Sequence, residues 1–184
     1  KNWLVEFDNF IAQTSPAINA RNIHLRNIRA VFNDAIDSEL VNRCPYRKLK
    51  IRSTATRKRS LPIEKLRQIM LGDVKEWQVK HRDIFTLSFL LIGINPIDLY
   101  HLTEINNGRI EYIRSKTKTF YSIKVEPEAM ELIQKYKGEK YLLNYADRHK
   151  THELFAKVVN RKLKSIDNIS LYWARHSWAT IAAS

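Results

Sequence analysis

Apolar positions recur at helical spacing from the start of the chain. Trp3, Leu4, Phe7, Phe10 and Ile11 share one face, which predicts a first helix. Thr14-Ser15-Pro16 interrupts it and predicts a restart, with Ser15 as N-cap and Pro16 in the first turn. Ile18, Ile23, Leu25, Ile28, Val31, Phe32, Ala35, Ile36 and Leu40 then outline a long helix whose other face carries Arg21, Arg26 and Arg29. Further on, Ser60 is the expected cap of a helix striped with Ile63, Leu66, Ile69 and Met70. A second helix is expected from about Val79 to Ile92, apolar nearly all round after Ile84 and therefore buried, with Gly93 ending it. Asn95-Pro96 reads as an N-cap with Pro at N1, opening a short helix through Leu102.

The period then changes from helical to alternating. Arg109–Ile113 and Phe120–Val125 alternate around the basic turn Arg114-Ser115-Lys116-Thr117-Lys118-Thr119, which predicts a β-hairpin. Helical patterns return at Pro127–Tyr136, around Thr151–Leu163 and at Ser170–Ala183. The expected class is mostly α with a small antiparallel β-sheet. Composition agrees: only 4 Gly and 5 Pro in 184 residues, with 44% hydrophobic residues, suit a helix-rich chain with a real core.

Charge adds a partner. Lys and Arg number 32 against 19 acidic residues, a net charge of +13, which points to a polyanion. Nucleic acid is the first candidate and an anionic membrane surface the second. Much of the surplus is local: Arg43, Arg47, Lys48, Lys50, Arg52, Arg57, Lys58 and Arg59 fall within residues 43–59 without an acidic residue. The expected division is a helical unit at 1–45, a basic linker at 46–60 and a second unit at 61–184. A solvated connector and a strand that tracks phosphates both fit the linker. Helical units on each side favour the second. The longest apolar run, Ile84–Ile94, is too short to span a bilayer, and no membrane association is expected. The single Cys44 excludes a disulfide framework, and His149 with His152 has no third ligand, so no metal or other cofactor is expected.

Chemistry concentrates near the end of the sequence. Leu171-Tyr172-Trp173-Ala174-Arg175-His176-Ser177-Trp178-Ala179-Thr180 sets an Arg-His pair in apolar company. An arginine there needs an anion or a carboxylate, and Asp98 is one available carboxylate. A phosphate is the other choice, since a guanidinium presents two parallel donors.

Three segments in order carry a resemblance: Gly93 to Leu102, the turn at Lys116, and the Arg175 box. Together they resemble the tyrosine recombinases, the phage-integrase family. The wording Ala-Arg-His-Ser-Trp-Ala-Thr resembles integrases of Bacteroides mobile elements. The resemblance implies a helical SAM-like core-binding domain followed by a tyrosine-recombinase catalytic domain. The first unit would lack its native start, because the chain opens at Lys1, and the second would be incomplete. It implies a cytoplasmic bacterial enzyme that cuts and rejoins double-stranded DNA through a 3′-phosphotyrosyl intermediate, as a homotetramer on DNA. Rival readings are a type IB topoisomerase, a non-catalytic DNA-binding protein and a decayed integrase.

Site roles follow from the same resemblance. Arg175 would clamp the scissile phosphate, and Lys116 would protonate the leaving 5′ oxygen, with Lys118 as its near rival. Tyr172 stands where the family has a histidine or lysine, and His176 would buttress the site. Asn95 occupies the first-arginine position, for which Arg82 could compensate. Arg21, Arg26, Arg47, Lys48, Lys50, Arg52, Arg57, Lys58, Arg59 and Lys118 are the expected DNA-binding residues. The nucleophilic tyrosine is expected beyond Ser184, leaving residues 1–184 alone inactive.

Overall fold

A computed structural model describes residues 2–46, 51–56 and 59–184. Arg47, Lys48, Lys50, Arg57 and Lys58, expected to bind DNA, lie outside the described residues. The chain forms two compact units, Lys1–Arg57 and Lys58–Ser184.

The first unit is a pair of packed helices, α1 (Asn2–Thr14) and α2 (Ile18–Asp37). Ser15 does not cap α2. Its N–H continues α1 by donating to the Ile11 carbonyl at 2.8 Å, so α2 starts later and Ala17 takes the cap position. Leu4 and Leu25 are buried, as is Asn22, whose amide donates to the Arg52 carbonyl at 2.9 Å. Asn19 reinforces this contact reciprocally. Its side chain donates to the Thr54 carbonyl at 2.8 Å and accepts from the Thr54 N–H at 2.9 Å. Part of the basic segment therefore runs along α2 through backbone groups, with the Arg52 residue itself exposed. Tyr46 is buried against Phe32 and the Arg29 guanidinium. Ile23, Val31 and Leu40, which share the apolar pattern of α2, are exposed.

The second unit is built around α4 (Glu76–Leu90), which packs against α3 (Ile63–Leu71), α6 (Pro127–Lys135), α8 (His152–Asp167) and α9 (Leu171–Ala182). Its C-terminal half is apolar nearly all round, and Ile84, Phe85 and Leu87 are fully buried. The helix starts earlier than the apolar period predicts. Gln78 Oε1 accepts from the Lys75 N–H at 3.0 Å and holds the polar first turn. Pro62, not Ser60, occupies the cap position of α3. Between α4 and the sheet lies α5 (Pro96–Tyr100), with Asn95 at its cap position and Pro96 at N1.

Strands β1 (Arg109–Ile113) and β2 (Phe120–Lys124) pair antiparallel with Tyr112 opposite Tyr121. The alternation locates both strands. Their turn is closed by Arg114 N–H to Thr119 O and Lys118 N–H to Arg114 O, each 2.9 Å, which places Lys118 at φ +56°. A short α7 (Tyr145–Arg148) has no counterpart in the sequence pattern. Thr151 caps α8, accepting from the Leu154 N–H at 3.3 Å, and Asn168 ends it in the left-handed region. The class is mostly α with one small antiparallel sheet, as expected. Among the described residues no helix is long and apolar enough to cross a membrane.

Candidate functional site

Helix α9 carries the Arg175 box, and two side-chain acceptors fix the helix. Asn160 Oδ1 accepts from the Leu171 N–H and buried Ser177 Oγ accepts from the Leu61 N–H, both at 2.9 Å. Ala174 is fully buried against the core, which leaves Arg175 beside the loop after α4. There the Arg175 guanidinium donates through Nη1 to the Gly93 carbonyl at 2.9 Å and reaches Asn95 Oδ1 at 3.4 Å. Asn95 thus turns its side chain toward Arg175 and makes no side-chain cap for α5. Nε and Nη2 of Arg175 have no hydrogen-bond partner among the described residues.

Asp98 is not the partner of Arg175. Its Oδ1 accepts from the N–H of Ser115 at 2.9 Å and from its Oγ at 2.7 Å, tying α5 to the start of the hairpin turn. Asp98 Oδ2 is buried and has no hydrogen-bond partner among the described residues. Arg82 does not reach Arg175 either. Its Nε and Nη2 donate to Asp83 Oδ1 at 3.2 and 2.9 Å and its Nη1 to the Gly72 carbonyl at 3.0 Å. Sequence offered no signal for that pairing beyond adjacency. Asp83 is the hub of a polar cluster that includes Lys135 and Tyr136.

Arg175 opens onto a pocket of about 140 Å³ lined also by Ile92, Gly93, Ile94, Tyr112, Arg114, Tyr121, Trp178 and Ala179. Tyr112 and Tyr121 stack across the hairpin with ring centroids 5.5 Å apart. Burial pushes the Tyr112 hydroxyl up to about 12, with the Asp98 and Tyr121 charges adding and Arg175 and Arg114 opposing. The two tyrosines and Arg114 escape the sequence reading, which treats the hairpin only as the carrier of a lysine.

Lys116 and Lys118 are exposed on the hairpin turn, two and four residues beyond Arg114. Tyr172 is half exposed and packs against the His176 ring at 4.2 Å and beneath the Arg59 guanidinium at 5.5 Å. His176 Nε2 is buried and has no hydrogen-bond partner among the described residues. In the first unit Arg21 lies 3.1 Å from Asp8, and Arg26 donates to Ser53 Oγ at 2.8 Å. Among the described residues no group of three or more His, Cys, Asp or Glu is placed to hold a metal ion.

No protein-family profile and no curated protein matches the chain. Solved structures do. A lambda integrase dimer bound to a COC′ core site superposes with a TM-score of 0.77 at 13% identity, over 96% of this chain and 68% of that one. A lambda integrase tetramer bound to a Holliday junction gives 0.75 at 15% identity, over 98% and 59%. The Tn1549 transposon integrase in complex with circular intermediate DNA gives 0.63 at 15% identity, over 97% and 70%. The fold is that of the integrases. At these identities the likeness is one of fold, and the chain spans between 56 and 71% of the lengths of the integrases it matches.

Proposed function

We propose that this chain is part of a site-specific tyrosine recombinase that cuts and rejoins double-stranded DNA, and that Arg175 holds the scissile phosphate. The observation that carries the reading is the Arg175 guanidinium, fixed by the Gly93 carbonyl at the mouth of a pocket. The integrase fold and the charge of +13 support the choice of DNA as the anion.

In this reading a tyrosine oxygen attacks phosphorus while the bond to the 5′ oxygen breaks. The phenolic proton leaves to a base, and the 5′ oxygen takes a proton from Lys116, or from Lys118 on the same turn. The 3′-phosphotyrosyl link conserves the energy of the bond, so rejoining needs no nucleotide cofactor. Charge on the nonbridging oxygens grows in the transition state, and a preorganised guanidinium stabilises it. Tyr172 and His176 brace the helix face beside Arg175. The attacking tyrosine is assigned beyond Ser184. Exchange between two duplexes requires four protomers on DNA, and a role in a mobile element of a bacterial cytoplasm follows from the same reading.

The test is covalent capture. The full-length protein, incubated with a randomised pool of nicked duplexes, should give adducts that survive SDS and carry a 3′-phosphotyrosine. Salt-sensitive binding without any adduct would instead favour a non-catalytic DNA-binding protein, the reading that Asn95 at the first-arginine position supports.

A further inference from the structure

The pocket beside Arg175 is lined by a second arginine. Arg114 lines it from the hairpin as Arg175 does from α9. Its Nε is buried, and among the described residues it has no hydrogen-bond partner. A buried guanidinium N–H without an acceptor is unfavourable, and two like charges facing one cavity add to that cost. Among the described residues no carboxylate lines the pocket to offset them. Asp98, on the neighbouring α5, accepts two hydrogen bonds from Ser115 at Oδ1, and among the described residues its buried Oδ2 makes no hydrogen bond to either arginine. An anion bound between the two arginines would offset both charges and give the Arg114 fork an acceptor.

Shape and surroundings define that anion. At about 140 Å³ the pocket holds several times the volume of one water, enough for a phosphate group. Ile92, Ile94 and Trp178 make part of its wall apolar, which strengthens charge interactions inside it. The stacked Tyr112 and Tyr121 rings hold the hairpin wall in shape. Asp98 holds the turn at Ser115, the residue after Arg114, so the second guanidinium is placed by the buried carboxylate of α5.

We propose that Arg114 is the second arginine of the phosphate site, supplying from the hairpin the charge that Asn95 does not supply from α5. This rests on the phosphate reading of Arg175. Arg114 and Arg175 each bind one nonbridging oxygen, and Lys116 follows Arg114 by two residues on the same turn, beside the leaving oxygen.

The test titrates the chain with inorganic phosphate and follows arginine Nε–H resonances by NMR. Both Arg114 and Arg175 should shift with one dissociation constant. Arg114→Ala and Arg114→Lys should each weaken phosphate about tenfold, the loss of a charge-assisted fork. Arg109→Ala, on the same hairpin but bonded to Ser122, should leave the affinity unchanged. If Arg114→Ala fails to fold, the Lys variant, which keeps the charge and loses the fork, carries the comparison. Movement of Arg175 alone, with Arg114 held instead by Asp98, overturns this inference and leaves the Arg175 site standing. Movement of neither, or of surface lysines only, removes both.

Discussion

The Gly93 carbonyl accepts the Arg175 guanidinium at 2.9 Å, and a Cβ on Gly93 would lie 2.7 Å from Arg175 Cα. Glycine is required there twice over, for the contact and for φ +69°. Gly93→Ala should destabilise the fold by about 1–3 kcal/mol, the cost of left-handed strain. It should also displace the Arg175 side chain. Urea unfolding measures the first effect and the Arg175 Nε–H resonance the second. An alanine variant of unchanged stability would contradict the close approach.

Asn95 gives the opposite expectation. Its side chain makes no cap bond and only a long 3.4 Å contact with Arg175. Asn95→Ala should therefore cost less than the ~1 kcal/mol usual for losing a capping side chain. Equilibrium unfolding checks this, and a larger loss would show that Asn95 does cap α5 in solution.

Asp83 should govern acid stability. Burial raises its pKa, but hydrogen bonds from Lys135, Tyr136 and Arg82 outweigh that and hold it below the ordinary aspartate range. A carboxylate depressed in the fold contributes stability above its unfolded pKa and loses it as pH falls through the folded value. Asp83→Asn should cost about 3 kcal/mol near neutrality, because it leaves Arg82 and Lys135 facing an uncharged group. Its stability should then fall less steeply than that of the native chain below about pH 4. Parallel curves for the two proteins would contradict the pairing.

Duplex DNA binding should weaken with salt at a slope near −0.9 per phosphate neutralised in log affinity against log salt. Arg175→Ala should reduce that slope by about one phosphate. Fluorescence anisotropy on a generic duplex at several salt concentrations measures both, and a flat native response would remove DNA phosphate as the partner.

Much of this fold was legible because its elements have strong periods. The hairpin strands emerge from alternation, and α4 and α9 from apolar positions at helical spacing. Caps were less legible. Ser15 and Ser60 have the right chemistry, but chain geometry gives the cap positions to Ala17 and Pro62. Helix α7, only four residues long, is too short to show a period. In the site, the Arg175 box and Gly93 could be read locally, and the structure puts the two in contact. Pairings across the chain could not. Asp98 meets Ser115 rather than Arg175, Arg82 is drawn to Asp83, and Arg114 joins the Arg175 pocket across the fold. Each depends on how distant elements pack, which periodicity does not encode.

The most direct measurement compares the full-length protein with its Arg175→Ala variant in covalent capture on randomised nicked duplexes. The native protein should form 3′-phosphotyrosyl adducts. The variant should keep DNA binding, weakened only by the one phosphate contact, and form adducts at least about 10²-fold more slowly, the loss seen when one preorganised donor is removed. Equal adduct formation by the two proteins would contradict Arg175 as the phosphate clamp.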